Sequence, residues 1–469
     1  MNSTVMVWII LPVLLGLGLV LIQRNSRLSA VLGSLFPLIL ALLAIIFSNG
    51  LTLNVLGRFF TLEDSLLIFG RTIQITTNQL GIIALFYFLC FVWNLLSGPF
   101  KIGRWFNSLS LIITALWVSV QFINPFLYSA VVIELIALIS VPLLSPRGIP
   151  AKSGVIRFLS MQTIAMPLIL MSGWMVAGIE TSPSAEQLIY RGSLLVIAGF
   201  SLWAGIFPLH SWLPMLAEES HPWIISFLMT IMQIGLAIFF LKFLNQYPWL
   251  RNLEEIKPVL KWIGVLCVVS AGGIAAFQMK LSRIIGYFFL SGTGYIVLTM
   301  AFQQPGWLEL LTIYLLPLAL SYWSLGYTFT LLREALDSDK LDFSELNGLF
   351  WRYPLITVLL LCSFLNIIGM PLFSLFPAHR VIWSILASES LPIRLLISLG
   401  LLGMITLFLR LLGKVIQPPE IAEQDKKERA ILIVPVIVIV IIMVLGGLLP
   451  QIYSTPVQNL LISFQNLLR

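Results

Sequence analysis

The sequence predicts an all-α, polytopic membrane protein with about fourteen transmembrane helices. Three observations carry that expectation. Of the 469 residues, 59% are hydrophobic and 10% charged, with a mean hydropathy of +1.00, which excludes a soluble globular protein. Apolar runs of bilayer length, about 17 to 25 residues, recur along the chain. Two of them are broken by paired prolines, at Ser201–Pro222 (SLWAGIFPLHSWLPMLAEESHP) and at Gly369–Arg380 (GMPLFSLFPAHR). Proline frees backbone amides and carbonyls, and inside a membrane these are tolerated only against protein or a wet cavity. Paired interruptions in the two halves of a chain point to an inverted-repeat transporter, the alternative being a helix end with a re-entrant loop.

The runs fall at 5–23, 29–47, 79–97, 106–122, 126–145, 155–178, 192–207, 223–246, 259–278, 284–303, 307–332, 354–385 (broken), 395–413 and 431–450. The first has no basic residue ahead of it and Arg24 and Arg27 behind it, so it reads as a retained span and not a cleaved signal. Seventeen lysines and arginines fall in one set of loops and nine in the other, which places both termini on the non-cytoplasmic side. The net charge of +7 is accounted for by this topology, and no nucleic-acid partner is implied. Residues 48–78 alternate Thr and Asn (RTIQITTNQ) and predict a short hairpin or surface cover.

The fifth span carries Glu134, a carboxylate well inside an apolar run. A charge at the bilayer centre costs roughly 2.5 to 3.5 kcal/mol on insertion scales, so such an acid is functional by default. The alternative is a protonated glutamate hydrogen-bonded between helices. Gln162 and Thr163 in the sixth span read as ordinary polar helix contacts. In the eighth, Gln233 lies near the middle, able to hold water or a neighbouring helix. Lys242 lies near the outer end of that span, where snorkelling to the interface is expected. All three histidines, His210, His221 and His379, fall in or beside the two breaks, which marks these as the functional centre. Glu218, Glu219 and His221 have a spacing that converges on a metal or forms a solvated turn. Cys90, Cys267 and Cys362 lie singly inside apolar spans and read as packing residues. With no nucleotide loop, CxxC pair or nucleophile elbow, no cofactor, metal or catalytic centre is expected. Residues 414–430 (KVIQPPEIAEQDKKERA) predict a soluble linker with a short amphipathic helix.

Three stretches resemble a known family, the antiporter-like subunits shared by complex I and Mrp-type Na+/H+ antiporters. FPLHSWLP (207–214) resembles that family's PLFPFHTWLP. LNGLFWRYPLITVLLLCSFLNIIGMP (346–371) resembles LAGLxRRxPLLAxxxxxxxLSLAGIPP, and FQMKLSRIIGYFFLSGTGY (277–295) is a worn copy of QxDLKRLLAYSSISHxGY. The similarity runs over roughly residues 80–415. It implies fourteen helices with two inverted five-helix repeats, broken in helices 7 and 12. The implied organisation is helices 1–3 in 1–100, a first repeat in 101–250, a second in 251–415, and a linker with helix 14 in 416–469.

The resemblance also implies an ion path of buried lysines and glutamates. The fifth-helix glutamate matches Glu134. The lysine seven residues before the motif histidine falls on Trp203, and the eighth-helix lysine falls on Gln233. The lysine or glutamate of the broken twelfth helix falls on His379, with Arg380 beside it. Of the DLKR turn only Arg283 is retained, Lys280 and Ser282 taking the acidic and lysine positions, and the SISH histidine becomes Gly292. The implied path is therefore Glu134, His210, Gln233, His379 and Arg380, with Trp203 as a plug. Function implied by the resemblance is proton or Na+/H+ translocation in a multisubunit membrane complex, with other membrane subunits as partners, through a degenerate charge relay. The competing readings are a non-conducting scaffold paralogue and a multi-pass enzyme acting on a lipid-linked substrate.

Overall fold

The computed structural model describes residues 5–48, 53–55, 58–60, 64–68, 71–76, 79–100, 102, 104–145, 152–181, 186–302, 306–338, 341–418, 430–453, 464 and 467. The expected linker lies largely outside them, in 419–429. Among the described residues, nine helical segments are long and apolar enough to cross a membrane, and five shorter apolar helices accompany them.

The helices are α1 (Leu11–Ile22), α2 (Ser26–Ser48), α3 (Leu80–Leu95), α4 (Phe106–Val120), α5 (Ser129–Leu144), α6 (Ser153–Thr181), α7 (Glu186–Ala204), α8 (Trp212–Glu219), α9 (Pro222–Gln246), α10 (Ile256–Ala275), α11 (Leu281–Phe302), α12 (Trp307–Leu336), α13 (Pro354–Ile368), α14 (Phe376–Leu386), α15 (Leu391–Ile416) and α16 (Ala430–Leu448). Helices α9 and α11 are buried along their whole apolar windows, whereas α2 and α15 bury 28% of theirs. A helix apolar on every side has no preferred face, so position alone decides whether it meets protein or lipid.

Two compact units divide the chain. The first comprises Met1–Ala204, Ile231–Leu253 and Val457–Arg469, and the second Gly205–Thr230 and Glu254–Pro456. In the first unit α1 meets α4 where Gly16 leaves room for Ile112 and the Ser108 carbonyl. The hairpin expected in 48–78 is present as two. Leu53–Val55 pairs with Arg58–Phe60, and Asp64–Ile68 pairs with Arg71–Ile75, which takes Ile123–Asn124 as a third strand through Ile73 opposite Ile123.

In the second unit α10 lies between α11 and α15, with glycines at both contacts. Gly264 faces Leu298 and the Gly294 carbonyl. On the α15 side Gly272, Gly400 and Gly403 meet backbone to backbone, and a Cβ on any of them would fall on carbonyl atoms of the facing helix. Lipid tails are as apolar as leucine, so helix association in a membrane rests on such close packing.

Candidate functional site

Both proline breaks are real interruptions. Helix α7 stops at Ala204 and the chain turns through Gly205 at φ +62°, where a side chain would meet Leu213 and Trp212. A short 3-10 turn, Leu209–Ser211, then leads into α8. The second break separates α13 from α14, and Gly369 and Leu372 both adopt φ +78°. Asn366, in the last turn of α13, sews this break together. Its Nδ2 donates to Ser321 Oγ (2.8 Å), and its Oδ1 accepts from Ser374 Oγ (3.1 Å) and from the Leu375 amide (3.2 Å). These are the backbone and hydroxyl groups that an interrupted membrane helix must satisfy internally. Sequence reasoning passed over Asn366 because an asparagine in a turn motif carries no special signal.

Of the six sequence-derived path residues, Glu134, Trp203 and Gln233 belong to the first unit, and His210, His379 and Arg380 to the second. Glu134 accepts a hydrogen bond from Thr163 Oγ1 on α6 (2.7 Å). Its second oxygen is buried with no hydrogen-bond partner among the described residues. Val131, Leu135 and Leu138, its neighbours along α5, are exposed, so this acid borders an open apolar face. Trp203 is fully buried against Phe200 (ring centroids 5.6 Å) and Phe239 (6.3 Å). Its carbonyl, released by the end of α7, accepts from Gln162 Nε2 at 3.4 Å. Gln162 is therefore a polar helix contact, as expected, and its acceptor is a carbonyl at the end of the broken helix. Gln233 is buried on α9.

His210 stacks on Phe207 (5.5 Å, 25°), and its buried Nδ1 has no partner among the described residues. His379 lies between Tyr295 (4.5 Å) and Tyr314 (5.8 Å), beneath Gly369, whose missing Cβ leaves room for the ring. Both imidazole nitrogens are buried without a partner among the described residues. His379 and Ser291 line a cavity of about 10 Å³, the volume of one water. Arg380, next along α14, is exposed and does not share the buried setting of His379.

Lys242 departs from expectation. It does not snorkel. The residue is 5% exposed, its Nζ donates to the Gln121 carbonyl just past α4, and the Phe122 ring lies 4.1 Å away. The end of a helix supplies unpaired carbonyls and partial negative charge, so α4 provides a seat for this ammonium inside the fold. Gln121 is held in place by donating from Nε2 to the Gly235 carbonyl of α9 (3.1 Å). Position near a span's end made snorkelling the natural reading; the carbonyl that receives Lys242 comes from 121 residues away in sequence.

The acidic cluster after the first break is also reassigned. Glu218 pairs with Lys280 and Arg283 at 2.5 Å each, tying α8 to the start of α11. His221 Nδ1 accepts from the Trp223 amide at the head of α9. Glu218 is thus an ion-pair partner, while Glu219 and His221 are half-buried at the turn between α8 and α9, and among the described residues no group of three or more His, Cys, Asp or Glu is placed to hold a metal. Lys280, at the position where the resembled motif carries an acid, is the partner of an acid in this chain.

Interrupted apolar helices with buried polar groups at the interruptions define an integral, multi-pass membrane protein. Residues 154–406 match the model of the family described as NADH:quinone oxidoreductase/Mrp antiporter, transmembrane. This is more than half of the chain, which belongs to that family. NADH-quinone oxidoreductase subunit N of Methylococcus capsulatus is 25% identical over 298 residues, covering 59% of this chain and 59% of the relative. The same-named subunit N 1 of Streptomyces griseus is 28% identical over 203 residues, covering 41% and 40%. The chain thus spans about half the length of the curated relatives it matches. The fold is similar to a chain of the archaeal membrane-bound sulfane sulfur reductase (TM-score 0.80, 16% identity, 100% and 98% covered). A chain of the Mrp complex from Dietzia sp. DQ12-45-1b is also similar (TM-score 0.78, 14% identity, 100% of both covered).

Proposed function

We propose that this chain is an antiporter-like subunit that moves protons, or exchanges Na+ for H+, within a multisubunit membrane complex, with both termini on the non-cytoplasmic side. The path runs through Glu134, His210, Gln233 and His379, and Lys242 joins it as a buried cation. The observation that carries the reading is Glu134. A carboxylate inside a span, bordering an exposed apolar face and with one oxygen unpartnered, is costly against lipid. A neighbouring membrane subunit on that face removes the cost and gives the proton somewhere to go. Subunit N relatives are named for such a complex. The chain has no energy source of its own, so coupling to partner subunits drives the step. The two helix breaks are the corresponding points of two inverted repeats.

The test is proton flux by the purified complex in liposomes, comparing wild type with Glu134→Gln and Lys242→Met. Both substitutions are expected to lower flux. Wild-type flux that neither substitution changes removes these residues from the path. One observation favours a second reading, a scaffold that kept the fold and gave up conduction: the fully buried Trp203 fills with aromatic surface the place where the resembled family carries a lysine. No flux in any of the three proteins establishes that reading.

A further inference from the structure

Where α15 ends, the chain builds a basic cavity that the ion path does not use. Its volume is about 310 Å³, and its walls include Met279, Phe343, Ser344, Arg410, Lys414 and Gln417. The size is that of a small-ligand site. Arg410 and Lys414 stand four residues apart on α15 and therefore share one face. The guanidinium of Arg410 is held in place: it donates to the Ala276 carbonyl, contacts Met279 Sδ (3.3 Å) and lies 5.0 Å from the Phe343 ring. Lys414 has no ion-pair partner among the described residues, and none of the described residues lining the cavity is acidic. Glu345, on the adjoining loop, accepts from Ser338 (3.0 Å). That loop is clasped to the helix end, with the Gly348 amide donating to the Lys414 carbonyl and Trp351 Nε1 to the Ile416 carbonyl.

The surroundings say what kind of molecule fits. Phe277 is 82% exposed, Met279 64% and Trp351 61%, and Ile416 is exposed as well. An apolar rim with an exposed tryptophan beside cations, at the end of a largely lipid-facing helix, is the composition of a membrane–water interface. Two cations, a hydroxyl and an amide without an acid are a donor set for a phosphate. We infer that this cavity binds the phosphate headgroup of an anionic phospholipid, its acyl chains lying against the exposed apolar rim. Basic pockets between transmembrane helices on the cytoplasmic side take such headgroups, and the proposed topology puts this end of α15 on that side.

The measurement is native mass spectrometry of the full chain released from detergent after equilibration with phosphatidylglycerol, phosphatidylcholine or inorganic phosphate. The wild type is expected to retain phosphatidylglycerol in preference to phosphatidylcholine, and Lys414→Gln to retain about fivefold less. Arg410→Gln is expected to lose more; because Arg410 also holds a backbone carbonyl, the Lys414 variant keeps the test decisive if that protein fails to fold. Equal retention of phosphatidylglycerol by wild type and Lys414→Gln overturns the inference. So does displacement of the lipid by inorganic phosphate alone, which would make this a free-phosphate site. Absence of any selective adduct on the wild type overturns it too.

Discussion

At the first helix break the indole of Trp203 is packed among phenyl rings and its carbonyl receives one long hydrogen bond from Gln162. At the second, Asn366 makes two bonds across the gap and a third to Ser321 on α12, and the imidazole of His379 sits between two tyrosines beside a cavity of about 10 Å³. Both breaks use the same backbone device, a glycine at positive φ two or three residues ahead of the first of two prolines. Their fillings differ: the first packs Trp203 among phenyl rings and His210 against Phe207, and the second sets His379 between two tyrosines beside a small cavity. One sequence signal, the interrupted apolar run, therefore marks where a polar site can exist without deciding whether it conducts.

The difference is open to direct attack. Asn366→Ala leaves the Ser374 hydroxyl and the Leu375 amide without their acceptor, while Ser321 Oγ keeps its bond to the Pro317 carbonyl (2.8 Å); at about 1 kcal/mol or more for each buried group left unpaired, we expect a loss of about 2–4 kcal/mol. Thermal unfolding of the detergent-solubilised chain reads it, and a loss below about 1 kcal/mol means the second break is not held as described. Next in size is a change of flux. Trp203→Lys is expected to raise proton flux in the reconstituted complex, and His379→Ala to lower it. If both variants conduct as the wild type does, the contrast between plugged and open breaks has no functional content. The smallest effect is expected for Gln162→Ala, under about 1 kcal/mol, because a 3.4 Å bond is near the limit of a useful one. A cost equal to that of Asn366→Ala would erase the distinction between the two repairs.

Much of the fold was legible because the bilayer imposes a simple code. Apolar runs of the right length give helices, and prolines within them give the breaks at Gly205 and Gly369. The candidate site was legible only in part. Glu134 and His379 are visible as polar residues in apolar runs, and their burial or half-burial follows. The setting of Lys242 was not legible: snorkelling depends on what lies between the ammonium and water, and here that is the end of α4. Glu218 was misread for the same reason, since its partners Lys280 and Arg283 stand 62 and 65 residues away. Arg380 and His379 are adjacent in sequence, but neighbouring helical positions point about 100° apart, and only one enters the core.

The glycine seam between α10 and α15 has a mechanical consequence. Where Gly272 meets Gly400 and Gly403, the facing atoms are main chain, which cannot rotate aside as a side chain does. Sliding either helix along the other, or turning it about its axis, would drive peptide groups into one another. The contact makes this pair resist relative movement, and in the ion movement proposed above the helices that shift are others, with this pair as the surface they push against.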